Sequence, residues 1–329
     1  MTKAMKCIAL GITALGLSVM AGCGGDRQAA GEKFYKIGVV QLVEHNALDA
    51  ANRGFVDGLK ERGYEEGKNL TIDRQNAQAD QSNLQNIAQR FVSDKVDLIC
   101  AIATPAAQSV ANATRDIPIV GTAITDYVSA KLAQSNAVPG GNVTGTSDLN
   151  PIKQQIDLLM KIYPNAKTIG TIYSSSEINS EIQIKTMTEY AQSKGLTVRA
   201  ATVSTVNDIQ QAAQSLVGDV DVFYEPTDNV ISSSIPTLVS VTDAAGKGVI
   251  CAEPFMVTGG CLATYGIDYY KLGVQTGEMA ADILEGKSKP ANMPIETARD
   301  LTLVISKSGI EKLGLTIPED VLKDATLVD

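Results

Sequence analysis

The chain of 329 residues is 44% hydrophobic and carries a formal net charge of −9, which is typical of a globular protein with room for two domains. The acidic balance argues against a nucleic-acid partner, because phosphate binding requires clustered Lys and Arg. The single histidine, His45, and the absence of HExxH, GxSxG, Walker-type and GxGxxG patterns argue against a metal site, a cofactor and the common catalytic motifs. We therefore expect a binding protein rather than an enzyme.

The N-terminus has the pattern of an export signal. Lys3 and Lys6 precede an uncharged, mostly apolar run from residue 7 to residue 22. This run is too short for an ordinary membrane-spanning helix, which needs roughly 20 apolar residues. It ends in VMAG followed by Cys23, which resembles a bacterial lipobox, although Met20 stands where Leu is more usual. We predict a signal peptide over 1–22, a lipid anchor at Cys23 and a flexible tether over 23–34.

From Tyr35 onward, short β-rich runs alternate with amphipathic helical stretches. The helix predicted at 48–62 follows from Leu48, Phe55 and Leu59, which share one helical face. Pro105 suits the start of another helix, where its missing N–H loses no partner. The first series comprises strands at 35–42, 70–77, 96–103 and 117–122 and helices at 48–62, 84–92 and 105–113.

A Pro-Gly-Gly-Asn loop at 139–142 interrupts this pattern, and the alternation then restarts. The second series comprises helices at 152–163, 178–194, 209–216, 235–245 and 269–286 and strands at 168–173, 196–203, 220–224, 248–252 and 262–266. Two series of similar length predict an α/β fold with two doubly wound parallel-sheet lobes. Ligands in such folds lie beyond the carboxyl ends of the strands, so we expect the site in the crevice between the lobes.

Three cysteines follow Cys23 in the sequence. Cys100 lies in an apolar run and is interpreted as a small buried hydrophobic residue. Because three cysteines cannot all pair within one chain and no CxxC spacing is present, a metal site is not indicated. Whether Cys251 and Cys261 form a disulfide stays an open question, since nothing in the sequence determines their separation in space.

Eight segments carry more information than periodicity alone, and they occur in order along nearly the whole chain after the tether. They are QLVEHNALD at 41–49, GFVDGL at 54–59, GYEEGKN at 63–69, NAQ at 76–78, ATPAA at 103–107, PGGNVTG at 139–145, PTDN at 226–229 and GIDYYKLG at 266–273. Together they strongly resemble the ABC transporter substrate-binding family that includes the tryptophan- and tyrosine-binding lipoproteins.

The resemblance implies a type I periplasmic-binding-protein fold, in which the chain crosses three times between lobes through a hinge. It places 35–142 and 265–294 in the first lobe and 143–264 and 295–329 in the second. It further implies an extracytoplasmic monomer that captures an aromatic amino acid and delivers it to an ABC permease and its ATPase. Two alternatives stay open: a ligand-sensing module for a receptor, and a binding protein for a different small organic ligand.

A zwitterionic amino acid needs hydroxyls and helix N-terminal N–H groups for its carboxylate, and a carboxylate for its ammonium group. Asp228 is the first candidate for the ammonium and Glu253 the second. Instead of contacting a ligand, Asp228 could equally serve as a helix N-cap, and His45 could equally be a polar loop residue. The candidate ligand-binding residues are Gln41, Glu44, His45, Thr104, Thr125, Asp126, Tyr127, Ser174, Ser175, Glu177, Thr227, Asp228, Asn229 and Glu253.

An aromatic ligand also needs an apolar or stacking pocket, for which Tyr127, Phe255 and Tyr265 are candidates, with core packing as the alternative for the last two. Tyr127 stands where the family pattern has Pro, and Ser174-Ser175 replace a more usual Asn-Pro. Both departures lie at the expected cleft and leave the identity of the ligand open. The chain contains no Trp, which would suit a protein needed when tryptophan is scarce.

Overall fold

The computed structural model describes residues 33–329. The predicted signal peptide, the predicted anchor at Cys23 and nearly all of the predicted tether lie outside these residues. Within the described part, no helix is long and apolar enough to cross a membrane. The chain from Phe34 onward forms one compact unit, in which two sheets define two lobes.

The first lobe is built on a six-stranded sheet in which every pairing is parallel. Its strands are β1 (Tyr35–Gln41), β2 (Leu70–Asn76), β3 (Leu98–Ile102), β4 (Ile119–Ile124), β5 (Val143–Ser147) and β11 (Glu296–Thr297). Their spatial order is β11-β5-β4-β3-β1-β2. All residues of β3 are buried, as expected for an interior strand covered on both faces.

The second lobe is built on a seven-stranded sheet. Its strands are β6 (Thr168–Ser174), β7 (Thr197–Val203), β8 (Val222–Glu225), β9 (Val249–Cys251), β10 (Ala263–Ile267), β12 (Leu301–Ser306) and β13 (Thr326–Val328). Their order is β13-β12-β10-β9-β8-β6-β7, and β12 and β13 run opposite to the other five. The two predicted parallel-sheet lobes are confirmed, with this reversed pair at one edge.

Helices cover the sheets and close the hydrophobic cores. In the first lobe they are α1 (Asn46–Glu61), α2 (Gln81–Ser93), α3 (Thr104–Ala113) and α10 (Tyr269–Leu284). In the second they are α4 (Ile152–Ile162), α5 (Ile178–Ser193), α6 (Ile209–Leu216), α7 (Asn229–Ser232), α8 (Ile235–Ala244), α9 (Pro254–Thr258), α11 (Lys307–Leu313) and α12 (Glu319–Leu322). Successive residues of β8, such as Phe223 and Tyr224, point into two different cores, so helices cover both faces of the second sheet.

The chain passes between the two sheets three times: after β5, between β10 and α10, and between β11 and β12. The lobe boundaries that follow from the strand pairings differ from the predicted lobe boundaries by a few residues. We predicted that the second lobe begins at residue 143 and includes residues 295–297, but β5 and β11 pair in the first sheet. We predicted that residues 265–267 lie in the first lobe, but β10 pairs in the second sheet.

Strand β5 escaped prediction because its sequence, VTGTS, lacks the large apolar residues of a typical buried strand. All five residues are nevertheless buried, and their hydroxyl groups have protein partners. Thr144 donates to the Met293 carbonyl at 2.7 Å, and Ser147 donates to the Thr125 carbonyl at 2.8 Å. A buried strand of small polar residues is therefore tolerated because each hydroxyl is satisfied.

Helix α10 returns to the first lobe by packing closely on α1. Glycines on both helices permit this approach: a Cβ added at Gly58 would lie 2.3 Å from the Val274 carbonyl oxygen. A Cβ at Gly273 would lie 2.1 Å from the Ala51 carbonyl oxygen, and one at Gly277 would lie 2.4 Å from that of Phe55. The second crossing is thereby anchored to the first lobe by direct backbone contact between two helices.

Candidate ligand-binding site

A small cavity of about 10 Å³, with room for about one water molecule, lies between the lobes. It lies beyond the carboxyl ends of β1, β4 and β5 of the first sheet and of β6, β8 and β9 of the second, as expected for open α/β sheets. The residues that line it are His45, Ala47, Leu48, Ala123, Thr125, Asp148, Asn179, Thr227, Asn229, Ser232, Glu253 and Tyr269.

Five of the predicted ligand-binding residues line this cavity, namely His45, Thr125, Thr227, Asn229 and Glu253. Four polar residues that line it were not predicted, namely Asp148, Asn179, Ser232 and Tyr269. Asp148 was missed because β5, the strand that it follows, was not recognised. Had β5 been predicted, the rule that ligands meet the carboxyl ends of strands would have pointed to Asp148.

Asp148 is buried at the point where the chain first leaves the first sheet. Thr125 donates to its Oδ1 at 3.0 Å, and the Tyr269 hydroxyl donates to its Oδ2 at 2.6 Å. Burial raises the pKa of the Asp148 carboxyl, and these two hydrogen bonds oppose the rise. A cationic group in the cavity would supply the opposite charge that this carboxyl lacks.

Glu253 approaches the cavity from the second lobe, directly before α9. Its Oε2 accepts a hydrogen bond of 2.6 Å from the Phe255 N–H and so caps this helix. Burial raises the pKa of Glu253 to about 7. Glu253 therefore has two roles, as a helix cap and as an acid at the cavity wall.

A chain of polar contacts joins the lobes at the cavity. His45 Nε2 of the first lobe lies 3.2 Å from Asn229 Oδ1 of the second. The Asn229 side-chain amide and main-chain N–H both donate to Glu177, which makes Oδ1 the acceptor and His45 Nε2 the donor. Burial lowers the pKa of His45 and so favours the neutral imidazole that this arrangement needs.

Glu177 supports the cavity wall from behind. Besides Asn229 it accepts hydrogen bonds from Asn179 Nδ2 at 3.0 Å and from the Val230 N–H at 3.3 Å. Burial, with a further contribution from the nearby Asp228 carboxyl, raises the pKa of Glu177 to about 8. The donors around Glu177 hold Asn179 and Asn229 in place at the cavity.

Asn179 lines the cavity and carries an acceptor without a partner. Its side-chain amide donates to Glu177 and to the Thr227 carbonyl at 3.1 Å. Its Oδ1 is buried and has no hydrogen-bond partner. A buried acceptor without a partner is unfavourable by itself, so this atom favours a ligand that donates a hydrogen bond.

Asp228, the first candidate for the ammonium group, does not line the cavity. It is fully buried, and its oxygens accept from the Ser174 N–H at 2.6 Å, the Ser180 hydroxyl at 2.7 Å and the Ile231 N–H at 2.9 Å. The last bond caps α7, as the second interpretation of this residue predicted. Asp228 therefore joins β6, α5 and α7, whereas its neighbours Thr227 and Asn229 line the cavity.

Thr104 lies at the first turn of α3, next to an unusual backbone conformation. Ala103 has φ 85° and ψ 153°, a region that only glycine adopts easily and that typically costs about 1–3 kcal/mol. Ala123, which lines the cavity, also has a positive φ of 55°. The Thr104 hydroxyl is buried and has no partner. Backbone strain and an unsatisfied hydroxyl thus occur together at the ends of β3 and β4.

The remaining predicted residues take other positions. Gln41 is buried and joins β1 to α1 through Asp49 Oδ1 at 2.7 Å. Asp126 accepts from the N–H groups of its own turn, and the buried Tyr127 donates to the Thr146 carbonyl at 3.0 Å within the core. Among the others, Ser174 is buried, Ser175 is exposed, and Tyr265 packs in the core of the second lobe.

A second space of about 220 Å³ adjoins the cavity and shares His45, Ser232 and Glu253 with it. Glu44, a predicted and exposed residue, lines this outer space together with Phe255. Phe255 belongs to the second lobe, yet it packs against the core of the first. The outer space therefore has an aromatic wall that bridges the cleft.

The three cysteines of the described chain are free and buried. The Cys251 thiol lies 3.6 Å from both the Glu253 and the Ala263 carbonyl oxygens. The structure therefore shows no disulfide between Cys251 and Cys261. Among residues 33–329, no group of His, Cys, Asp and Glu side chains has the arrangement of a metal site.

A comparison against known protein families assigns the chain to a family. The family described as ABC transporter substrate binding protein matches residues 36–329. The chain belongs to this family. The resemblance drawn from the sequence motifs is thereby confirmed, and the protein is an extracytoplasmic substrate-binding protein of an ABC transporter.

Relatives of this substrate-binding protein cover almost its whole length. A tyrosine-binding protein of Clostridioides difficile is 43% identical over 325 residues, which are 96% of this chain and 94% of the relative. A crystal structure of an ABC domain from Streptococcus pneumoniae in complex with L-Trp is 42% identical, with a TM-score of 0.87, and covers 90% of this chain and 100% of that one.

A third relative reports on the arrangement of the lobes. The ligand-free, open structure of CD0873 from Clostridium difficile is 44% identical and covers 90% of this chain and 99% of that one, but its TM-score is 0.69. Identity and coverage are nearly equal to those of the L-Trp complex, so they do not explain the lower score. The lobes of the present substrate-binding protein are therefore arranged more like those of the L-Trp complex than like those of the open structure.

Proposed function

We propose that this substrate-binding protein captures an aromatic amino acid, such as tryptophan or tyrosine, between its lobes and delivers it to an ABC importer. The observation that carries the proposal is the interlobe cavity, whose lining includes the two acids Asp148 and Glu253 and also Asn179, the side-chain oxygen of which has no partner. Such a lining suits an ammonium group. The relatives named for tyrosine binding and solved with L-Trp support the aromatic side chain.

The ammonium group would lie between Asp148 and Glu253, with Asn179 Oδ1 as a further acceptor. A buried carboxylate is stable when an opposite charge pairs with it and hydrogen bonds satisfy its remaining oxygens. Thr125 and Tyr269 already provide such bonds to Asp148. The missing partner is a cation.

The carboxylate of the ligand would be held by neutral donors near the N-terminus of α3. The unpaired Thr104 hydroxyl and the first N–H groups of this ten-residue helix are suitable donors. The aromatic ring would then extend toward the outer space, where Phe255 provides an aromatic wall.

Isothermal titration calorimetry with a panel of amino acids tests the proposal. We expect heat of binding with L-tryptophan or L-tyrosine and none with acidic or basic amino acids. Because the chain contains no Trp, emission from bound L-tryptophan provides a second, background-free signal. If no aromatic amino acid binds and another compound does, the ligand assignment is wrong while the family membership stands.

A ligand-sensing role is the alternative to delivery, and the same cavity would serve both. Reconstitution with a permease and ATPase in proteoliposomes distinguishes them. Ligand uptake and stimulated ATP hydrolysis would support import, whereas binding of the liganded protein to a receptor without uptake would support sensing.

We also propose that Cys23 carries a lipid anchor after removal of residues 1–22 and that the protein acts as a monomer. The lipobox-like residues before Cys23 support the anchor. Labelled palmitate should enter the wild-type protein in cells but not a Cys23→Ala variant. Unlabelled wild-type protein in the membrane fraction would contradict lipidation, and a dimer mass in light scattering would contradict the monomer.

A further inference from the structure

Five carboxylic acids are buried in the described chain, and no Lys or Arg is buried with them. They are Asp148, Glu177, Glu225, Asp228 and Glu253. Only Asp148 and Glu253 line the cavity. The surroundings of the cavity therefore lack positive charge, which a cationic ligand group would provide.

Asp148 differs from Glu253 in its place in the fold. Asp148 follows β5 at the first crossing, and Tyr269 begins α10 directly after the second crossing. Their hydrogen bond of 2.6 Å joins residues 121 positions apart in the chain. It thus ties together two of the three segments that connect the lobes. The cap made by Glu253, in contrast, lies within the second lobe.

Asn179 belongs to the part of the cavity wall that the second lobe supplies. It belongs to α5 of the second lobe, lines the same cavity, and its Oδ1 has no partner. A single ammonium group has three N–H donors, so it can contact a carboxylate and an amide oxygen at once. Contacts to both residues would bridge the lobes.

On the basis of the proposed function, we propose that Asp148 couples recognition of the ligand's ammonium group to closure of the lobes. The ammonium binds Asp148 on the first-lobe side and Asn179 on the second-lobe side, and Tyr269 holds the Asp148 carboxylate at the junction of two crossings. The selected ligand class is that of protonated primary amines, and a deaminated acid of the same shape is rejected. Tyr269 is a positioning residue that acts through Asp148.

The test compares L-tyrosine and L-tryptophan with 3-(4-hydroxyphenyl)propionate and 3-indolepropionate, which lack the amine. Calorimetry measures affinity, and small-angle X-ray scattering measures the decrease in radius of gyration on closure. In wild type we expect the amino acids to bind at least about 30-fold more tightly than the deaminated acids, because the latter leave a buried carboxylate unpaired. Asp148→Asn should weaken amino-acid binding by a similar factor and remove most of this preference.

Tyr269→Phe keeps the carboxylate but removes the bond between the crossings. We expect this variant to retain the preference for the amine while showing a smaller ligand-induced decrease in radius of gyration and an affinity about tenfold lower. Tyr190→Phe is the matched control: it removes a tyrosine–aspartate hydrogen bond of 2.9 Å, to Asp157, that lies within the second lobe and outside the cavity lining, and it should leave the radius change as in wild type.

Three results separate the possible failures. If wild type binds no aromatic amino acid, the proposed function fails. If wild type binds them but Asp148→Asn keeps the preference for the amine, Asp148 is not the ammonium partner. If Tyr269→Phe closes as wild type does, the coupling is wrong. Should Asp148→Asn fail to fold by thermal melting, the Tyr269→Phe result still decides the coupling.

Discussion

At the scale of single residues, the acids near the cleft fall into two groups according to what their oxygens already contact. Asp228 accepts three hydrogen bonds from three elements and has no face on the cavity. Asp148 accepts two hydroxyl hydrogen bonds and lines the cavity. Residue type alone therefore does not separate a structural acid from an acid that lines the cavity, whereas the number and position of the hydrogen-bond donors do.

This distinction predicts that Asp228→Ala destabilises the fold rather than removing a ligand contact. The substitution leaves two buried N–H groups and the Ser180 hydroxyl without their acceptor, so we expect a loss of about 3 kcal/mol in the free energy of unfolding. Urea denaturation measures this loss.

Asp126→Ala is a matched control, because Asp126 also accepts three hydrogen bonds, from Val128 and Ser129, but in an exposed turn. We expect its effect to stay at or below about 1 kcal/mol, since water replaces the lost acceptor. An Asp228→Ala protein with unchanged stability and lost ligand affinity would instead make Asp228 the ammonium partner.

At the scale of elements, the contact between α1 and α10 determines where the second crossing returns to the first lobe. Glycines at positions 54, 58, 273 and 277 bring the two backbones together. The sequence contains both Gly-x-x-x-Gly pairs, but only the structure shows that they face each other. This contact fixes Tyr269, the first residue of α10, beside Asp148.

We predict that Gly277→Ala lowers the stability although alanine favours helices more than glycine does. The added Cβ would lie 2.4 Å from the Phe55 carbonyl oxygen, so the two helices must separate. We expect a net loss of about 1–3 kcal/mol, measured as a lower melting temperature. Gly141→Ala serves as control, because its Cβ meets no atom within 4 Å. A Gly277→Ala protein that melts at or above the wild-type temperature would rule out close packing here.

At the scale of the whole molecule, the buried acids around the cleft make stability depend on pH. Burial raises the pKa of Glu253 to about 7 and that of Glu177 to about 8, whereas both start from 4.5. Between pH 4.5 and these raised pKa values, the folded protein keeps carboxyl protons that the unfolded chain has lost. The free energy of unfolding should therefore fall as pH rises from about 4.5 to about 8.

For the ligand-free protein we predict a loss of up to about 3 kcal/mol from Glu253 alone over this range. Urea denaturation at pH 5 and pH 8 measures it. Glu253→Gln should make the two values more nearly equal, whereas Glu181→Gln, at an exposed position of α5, should leave the difference as in wild type. Greater stability at pH 8 than at pH 5 in wild type would contradict the assignment.

The alternation of apolar runs and amphipathic helices is local, so the sequence by itself determined the two α/β lobes. Its motifs determined the family, and the predicted strand ends indicated the cleft between the lobes as the site. The same rule placed His45, Thr125, Thr227, Asn229 and Glu253 at the cavity, because each follows a strand that was recognised. These conclusions depend only on the order of residues near one another in the chain.

Only the tertiary structure decided the role of strand β5, the exact crossings and the fact that Asp148, and not Asp228, lines the cavity. The short polar residues of β5 become a buried strand because partners such as Met293, 149 residues away from Thr144, satisfy their hydroxyls. Tyr269 likewise holds Asp148 in position through a hydrogen bond. Hydrogen bonds from Ser174 and Ser180 occupy the Asp228 carboxylate, which is therefore not available to a ligand. Burial and hydrogen bonding depend on neighbours that are distant in sequence, and periodicity carries no information about them.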